Sequence, residues 1–150
     1  MSLGALLLKD YPAALQFGRE ALAEFAKIGH RWGKCASLTR IAYAKLGLGE
    51  IPESKQLFLE ALEIASKHEL DPLCLHALAG IACLRAASGE VKDGQELMKY
   101  ILRHPKTPEI YITVTREWFK IDQIQKSDRK KQRSDPELTV IAENILENNQ

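Results

Sequence analysis

Apolar residues recur along this chain at helical spacing. Leu57, Phe58, Ala61, Leu62 and Ala65 fall at i, i+1, i+4, i+5 and i+8, the signature of a wide buried helical face. Leu38, Ile41, Ala42, Lys45 and Leu46 trace a second stripe. The segments between breaks are rich in Ala, Leu, Glu and Lys, which favour helix. No run alternates with the period of two that a half-buried strand needs. The punctuation agrees. Asp71-Pro72, Thr107-Pro108 and Asp135-Pro136 place a capping side chain ahead of a proline whose missing N–H is harmless at a helix start. Pro12 and Pro52 sit just inside their helices, and Gly29, Gly49 and Gly89 mark helix ends. The pattern predicts helices over 1–8, 11–28, 32–47, 51–68, 72–88, 91–103, 108–126 and 136–148. Short connections make successive helices antiparallel.

The chain also repeats itself. A shift of 40 residues aligns Ala14, Ser54, Gly94 and Ser134, all small, and Phe58, Met98 and Leu138, all large and apolar. Leu22, Leu62 and Leu102 share a column, as do Ile41, Ile81 and Ile121, and Leu38, Leu78 and Trp118. The small column is expected where the two helices of a hairpin approach closely. The large column is expected to fill the hole between one hairpin and the next. One hairpin cannot bury both of its apolar faces, so hairpins must stack. These columns put 134–141 in phase with 54–61, so the tail is expected to extend the stack.

Together these columns resemble tetratricopeptide repeats, in a longer variant near 40 residues. The second unit supplies Leu38, Ile41, Ala42, Gly49, Ile51, Ser54, Phe58 and Ala61; the third supplies Leu78, Ile81, Ala82, Gly89, Val91, Gly94, Met98 and Ile101. The first unit contributes only Tyr11, Ala14, Gly18 and Ala21. The fourth contributes Trp118, Ile121, Ser134, Leu138 and Ile141, with Arg129 and Lys131 replacing the turn glycine and aromatic. The resemblance implies an all-α, right-handed superhelical stack of antiparallel hairpins, a TPR-like α-solenoid. It divides the single domain 1–150 into a truncated first repeat (1–30), a second (31–70), a third (71–107) and a degenerate C-terminal capping hairpin (108–150). The stretch Phe25–Gly33 and the segments Leu78–Ala82 and Leu102–Pro108 are similar to the helical arrays of bacterial STAND-type signal-transduction ATPases and large transcription regulators. That similarity implies a sensor or docking arm of a larger bacterial regulator.

Composition narrows the partners. Lys plus Arg is 21 and Asp plus Glu is 20, a net charge of +1. A balance so near neutral argues against bulk attraction to nucleic acid or to a membrane surface. No segment approaches the roughly 20 apolar residues of a membrane helix. The apolar start lacks a basic leader and runs into Lys9-Asp10, so it makes a poor signal peptide. Three cysteines are no disulfide framework, and a cytoplasmic setting is expected.

Few residues invite chemistry. Cys74 and Cys83 lie about 900° apart on a helix and face opposite ways. His76 and Cys83 share a face but stand about 10 Å apart along it, too far for one ion. There is no nucleophile elbow, P-loop or dinucleotide fingerprint. Gly80, Gly89 and Gly94 read as packing or turn glycines, and Glu60, Glu63 and Glu69 as a solvated face. The sequence thus predicts no enzyme, no metal and no cofactor. The run Arg129–Arg133 reads as a solvated loop, with an acidic partner or nucleic acid as the alternative. Trp118 and Phe119 read as core and cap.

Binding is the function that remains. In a stack of this kind the first helix of each hairpin lines the concave side, and the resemblance implies that such a groove holds a peptide or helix. The positions one turn off the core stripe are Thr39, Arg40 and Tyr43, then His76, Ala79 and Cys83, then Tyr111 and Thr115. The expected partner is a protein or peptide. The alternative is a second copy of the chain, meeting at Leu3, Leu6, Leu7, Leu8, Leu15 and Phe17. Met1 falls within an expected first helix, so either upstream chain or another copy is expected to cover that face.

Overall fold

The structure, a computed structural model, describes residues 9–108 and 136–150. Its described residues form helices and turns, with no strand among them. The helices are α1 (Tyr11–Lys27), α2 (Arg31–Gly47), α3 (Ile51–Lys67), α4 (Asp71–Ala87), α5 (Val91–Arg103) and α6 (Leu138–Glu147). The expected helix over 1–8, and all but the first residue of that over 108–126, lie outside the described residues. Among the described residues no helix is long and apolar enough to cross a membrane.

A single connector, used four times, generates the array. Helices start at residues 11, 31, 51, 71 and 91, and each of the first four is 17 residues long. Each of these four ends in a Schellman turn. The amides of His30, Glu50, Leu70 and Glu90 reach back to the carbonyls of Phe25, Lys45, Ala65 and Arg85 at 2.9–3.0 Å. The amides of Gly29, Gly49, Glu69 and Gly89 reach Ala26, Leu46, Ser66 and Ala86 at 3.0–3.3 Å. The residue that closes each turn also serves as N-cap of the next helix. This overrides the expected cap at Asp71, which becomes the first helical residue. Its carboxylate accepts instead from the ammonium of Lys106.

The Schellman turn needs a left-handed residue. Gly29, Gly49 and Gly89 supply it with φ of 65°, 80° and 94°, but at the third connector Glu69 is forced to φ 55°. An L-residue pays roughly 1–2 kcal/mol for that conformation, partly offset by the greater unfolded freedom of glycine. Glu69→Gly is therefore expected to stabilise the chain by about 1 kcal/mol, read as a raised urea midpoint at constant slope. An unchanged or lowered midpoint contradicts the assigned strain.

Neighbouring helices pack in sequence order from α1 to α5, and α2 also touches α4. The repeat columns occupy this core. Ala14, Ser54 and Gly94 are buried, as are Phe58, Met98 and Leu138. The Ser54 hydroxyl donates to the Ala42 carbonyl at 2.8 Å, so its small side chain also satisfies its own oxygen. Close approach is reinforced by rings laid on glycines: Tyr11 on Gly47, Phe25 on Gly33 and Phe58 on Gly80.

Beyond α5 the pattern changes. A tail in phase with 54–61 would extend the stack past α5. Instead α6 returns to pack on α3 and α4, and Tyr100 on α5 donates to the carbonyl of Pro136 at 3.0 Å just ahead of it. The physical reason is apolar area. Leu138, Ala142 and Ile145 are buried, with Ile141 and Leu146 half-buried beside them. That spacing makes a stripe needing an apolar bed, and α3 and α4 provide one, with Leu59 of α3 beside Leu146.

Candidate functional site

The residues expected to line a concave groove fill the space between helices instead. Thr39, Tyr43, His76, Ala79 and Cys83 are all buried, and of the described members Arg40 alone is partly exposed. The Tyr43 hydroxyl donates to the His76 carbonyl at 3.2 Å. Its ring stacks on the imidazole at 5.0 Å and meets Phe58 edge-on at 5.0 Å. The Thr39 hydroxyl donates to the Cys35 carbonyl at 3.0 Å. Direct packing of α2 on α4 brings these side chains together and leaves no open trough at them. Periodicity places a residue on a face of its helix but not the distance to the next helix, and that distance decides between groove and core. Tyr111 and Thr115 lie outside the described residues, as do Trp118, Phe119 and the run Arg129–Arg133.

Burial also sets the chemistry of this layer. The imidazole of His76 is held down to about 3, by burial first and by the nearby Arg40 guanidinium second. Burial pushes the thiols of Cys35 and Cys74 up to about 12, and that of Cys83 higher still. A hydrogen bond with Thr39 tempers the rise at Cys35, and the Cys35 thiol itself donates to the Ala61 carbonyl at 3.2 Å. Thiols held this far from ionisation are poor nucleophiles and poor metal ligands. Among the described residues no cluster of three His, Cys, Asp or Glu is placed to hold an ion.

Of the expected N-terminal interface, Leu15 and Phe17 are half-buried, and Leu15 packs against the core. Leu3, Leu6, Leu7 and Leu8 lie outside the described residues.

The surface feature that stands out lies on the other side of the array. Here α6 is seated across α3 and α4. Its apolar stripe faces in, while Glu143 and Glu147 remain exposed. Asn148 and Asn149 lie near Arg85 and Ser88 at the C-terminal end of α4. That places the negative end of the α6 dipole near the Lys55 and Arg85 side chains. Compared with protein-family models, curated proteins and solved structures, the chain matches none.

Leu59, Ile81 and Arg85, which line a pocket beside the C-terminal end of α6, correspond by the 40-residue shift to Arg19, Ile41 and Lys45. Those three residues, with Leu22 and Leu57, line an open groove between α1 and α3 across α2. In the sequence Leu22 and Ile41 stand in repeat columns and Leu57 in a helical stripe, and none of these spacings reports a groove.

Proposed function

We propose that this chain is a non-catalytic binding scaffold, a right-handed TPR-like solenoid that holds amphipathic helices or peptides of partner proteins. In this reading it is a docking or sensing arm of a larger bacterial regulatory assembly, working in the cytoplasm. The observation that carries the reading is the seating of α6. An amphipathic helix, distant in sequence, lies across the repeats with its apolar stripe down and its charges outward. That is the helix-in-groove mode of recognition, performed here within one molecule. The repeat columns and the fourfold Schellman connector support the solenoid assignment.

The test separates α6 from its seat on α3 and α4. Leu138→Asp with Ile145→Asp puts two carboxylates into the apolar contact and is expected to undock α6 while α1–α5 stay folded. A synthetic peptide of residues 137–150 added to that variant is expected to bind saturably. Its effects on amide resonances should centre on α3 and α4, the two helices that α6 packs against. A folded variant that ignores the peptide overturns the reading.

A further inference from the structure

We infer that α6 closes the face of α3 and α4 at rest and that the face opens by exchange: an amphipathic helix of a partner protein, carrying the same apolar stripe, displaces α6 and takes its seat. This regulation rests on the reading of the array as a helix receptor and adds what governs access to it.

The resident shows what the seat accepts. Leu138, Ala142 and Ile145 are buried at i, i+4 and i+7, with Ile141 and Leu146 half-buried beside them. The helices beneath are α3 and α4. Apolar contact supplies the hold. Among the described residues no ion pair joins 136–150 to α1–α5. One hydrogen bond does, from the Tyr100 hydroxyl to the Pro136 carbonyl at 3.0 Å. A stripe of this spacing is a feature that many amphipathic helices share, so nothing in the contact is reserved for α6.

The resident is also poorly built to stand alone. It is 10 residues long, and its N-cap, Glu137, makes no side-chain capping bond. Its first turn holds no acid and its last turn no base, while Glu147 sits at the negative end of its dipole. A helix this short and uncapped is marginal in water, so it keeps its form on the seat and loses it on leaving. The array does not share this dependence. The joints of α1–α5 are made by their own capping residues, and α6 takes no part in them. Release of α6 is therefore a local opening that leaves the receptor standing.

Tethering makes the response graded. After release α6 remains covalently joined to α5 and competes for the seat at a fixed effective concentration. A partner helix takes the seat only when its concentration and affinity outweigh that competitor, so weak or scarce helices are refused. A second copy of the chain is the poorer partner. Its α6 would make no contact that the resident lacks, and association costs freedom of motion.

The experiment uses the intact chain with a fluorescent peptide of residues 137–150 as the partner helix. Saturable binding is expected, roughly tenfold or more weaker than to the Leu138→Asp, Ile145→Asp variant, whose seat is vacant. As unlabelled peptide is added to isotope-labelled intact chain, the amide resonances of Ala142 and Ile145 should move toward those of a detached α6. Ile145→Ala in the chain alters the helix that leaves and not the surface that receives. It is expected to tighten peptide binding about threefold or more, a gain that competition alone produces. Equal affinity for the intact and doubly substituted chains, or no effect of Ile145→Ala, places the peptide elsewhere and overturns the exchange. A dimeric chain that turns monomeric as peptide binds holds a second copy's α6 in its seat, and that also overturns it. If the peptide binds the doubly substituted variant but not the intact chain, exchange fails while the receptor reading stands. If it binds neither, both fail.

Discussion

Truncating Phe58 to alanine is expected to destabilise the chain by about 3–5 kcal/mol. Phe58 is fully buried on α3. Its ring lies on Gly80 of α4 and receives the edge of Tyr43 from α2, so one side chain ties together helices from two successive hairpins. The reciprocal change tests the same joint. A Cβ at residue 80 would overlap the Phe58 ring, and a ring packed on every side has nowhere to move. Gly80→Ala alone is expected to cost about 1–3 kcal/mol. In the Phe58→Ala background the added methyl enters vacated space and improves helix propensity, so there it should be neutral or stabilising. The double-mutant cycle is expected to show coupling of about 1–3 kcal/mol. Urea midpoints of the four proteins measure it, and additive effects would show that the ring does not rest on this glycine.

Acid is expected to weaken the fold through His76. In the unfolded chain its imidazole takes a proton near the ordinary value of 6.5, whereas in the folded chain it does so only near 3. Between those values the unfolded state binds the extra proton, so stability rises with pH. The contribution is fully present above about 6.5 and is lost as pH falls toward 3, at up to about 1.4 kcal/mol per pH unit. From pH 7 to pH 5 the loss is about 2 kcal/mol, in a range where most carboxylates remain ionised. His76→Gln keeps a polar side chain that does not titrate. Whatever it does to stability at pH 7, it should flatten the dependence down to pH 5. Parallel pH profiles for the two proteins would contradict a neutral buried imidazole.

Local order was largely legible in the sequence. The helical stripes, the glycine stops and the columns at 14, 54 and 94 and at 58 and 98 depend on spacing along the chain, which sequence records directly. The turn at Glu69 was legible too, but only by position. It occupies the place of Gly29 when the chain is shifted by 40, although its side chain reads as part of a solvated face. What escaped was separation between helices. His76 and Tyr43 lie one turn off the core stripe, and nothing in their spacing says that α4 approaches α2 closely enough to bury both. The destination of α6 escaped for a related reason. Its stripe shows that it must lie on an apolar surface, and both an extended stack and the face of α3 and α4 offer one. The candidate site was legible only as separate apolar stripes, because the seat of α6 is a relation between helices and each stripe lies on one.

The double duty of His30, Glu50, Leu70 and Glu90 has a consequence for how such a chain can change over time. Each finishes one helix and begins the next, so the joints contain no slack. An inserted or deleted residue within a helix would swing everything downstream by about 100° and turn the buried faces outward. Gradual lengthening is thereby closed off as an evolutionary route. A protein built this way gains or loses reach by duplicating or deleting whole hairpins, with new specificity written afterwards into the side chains along their edges.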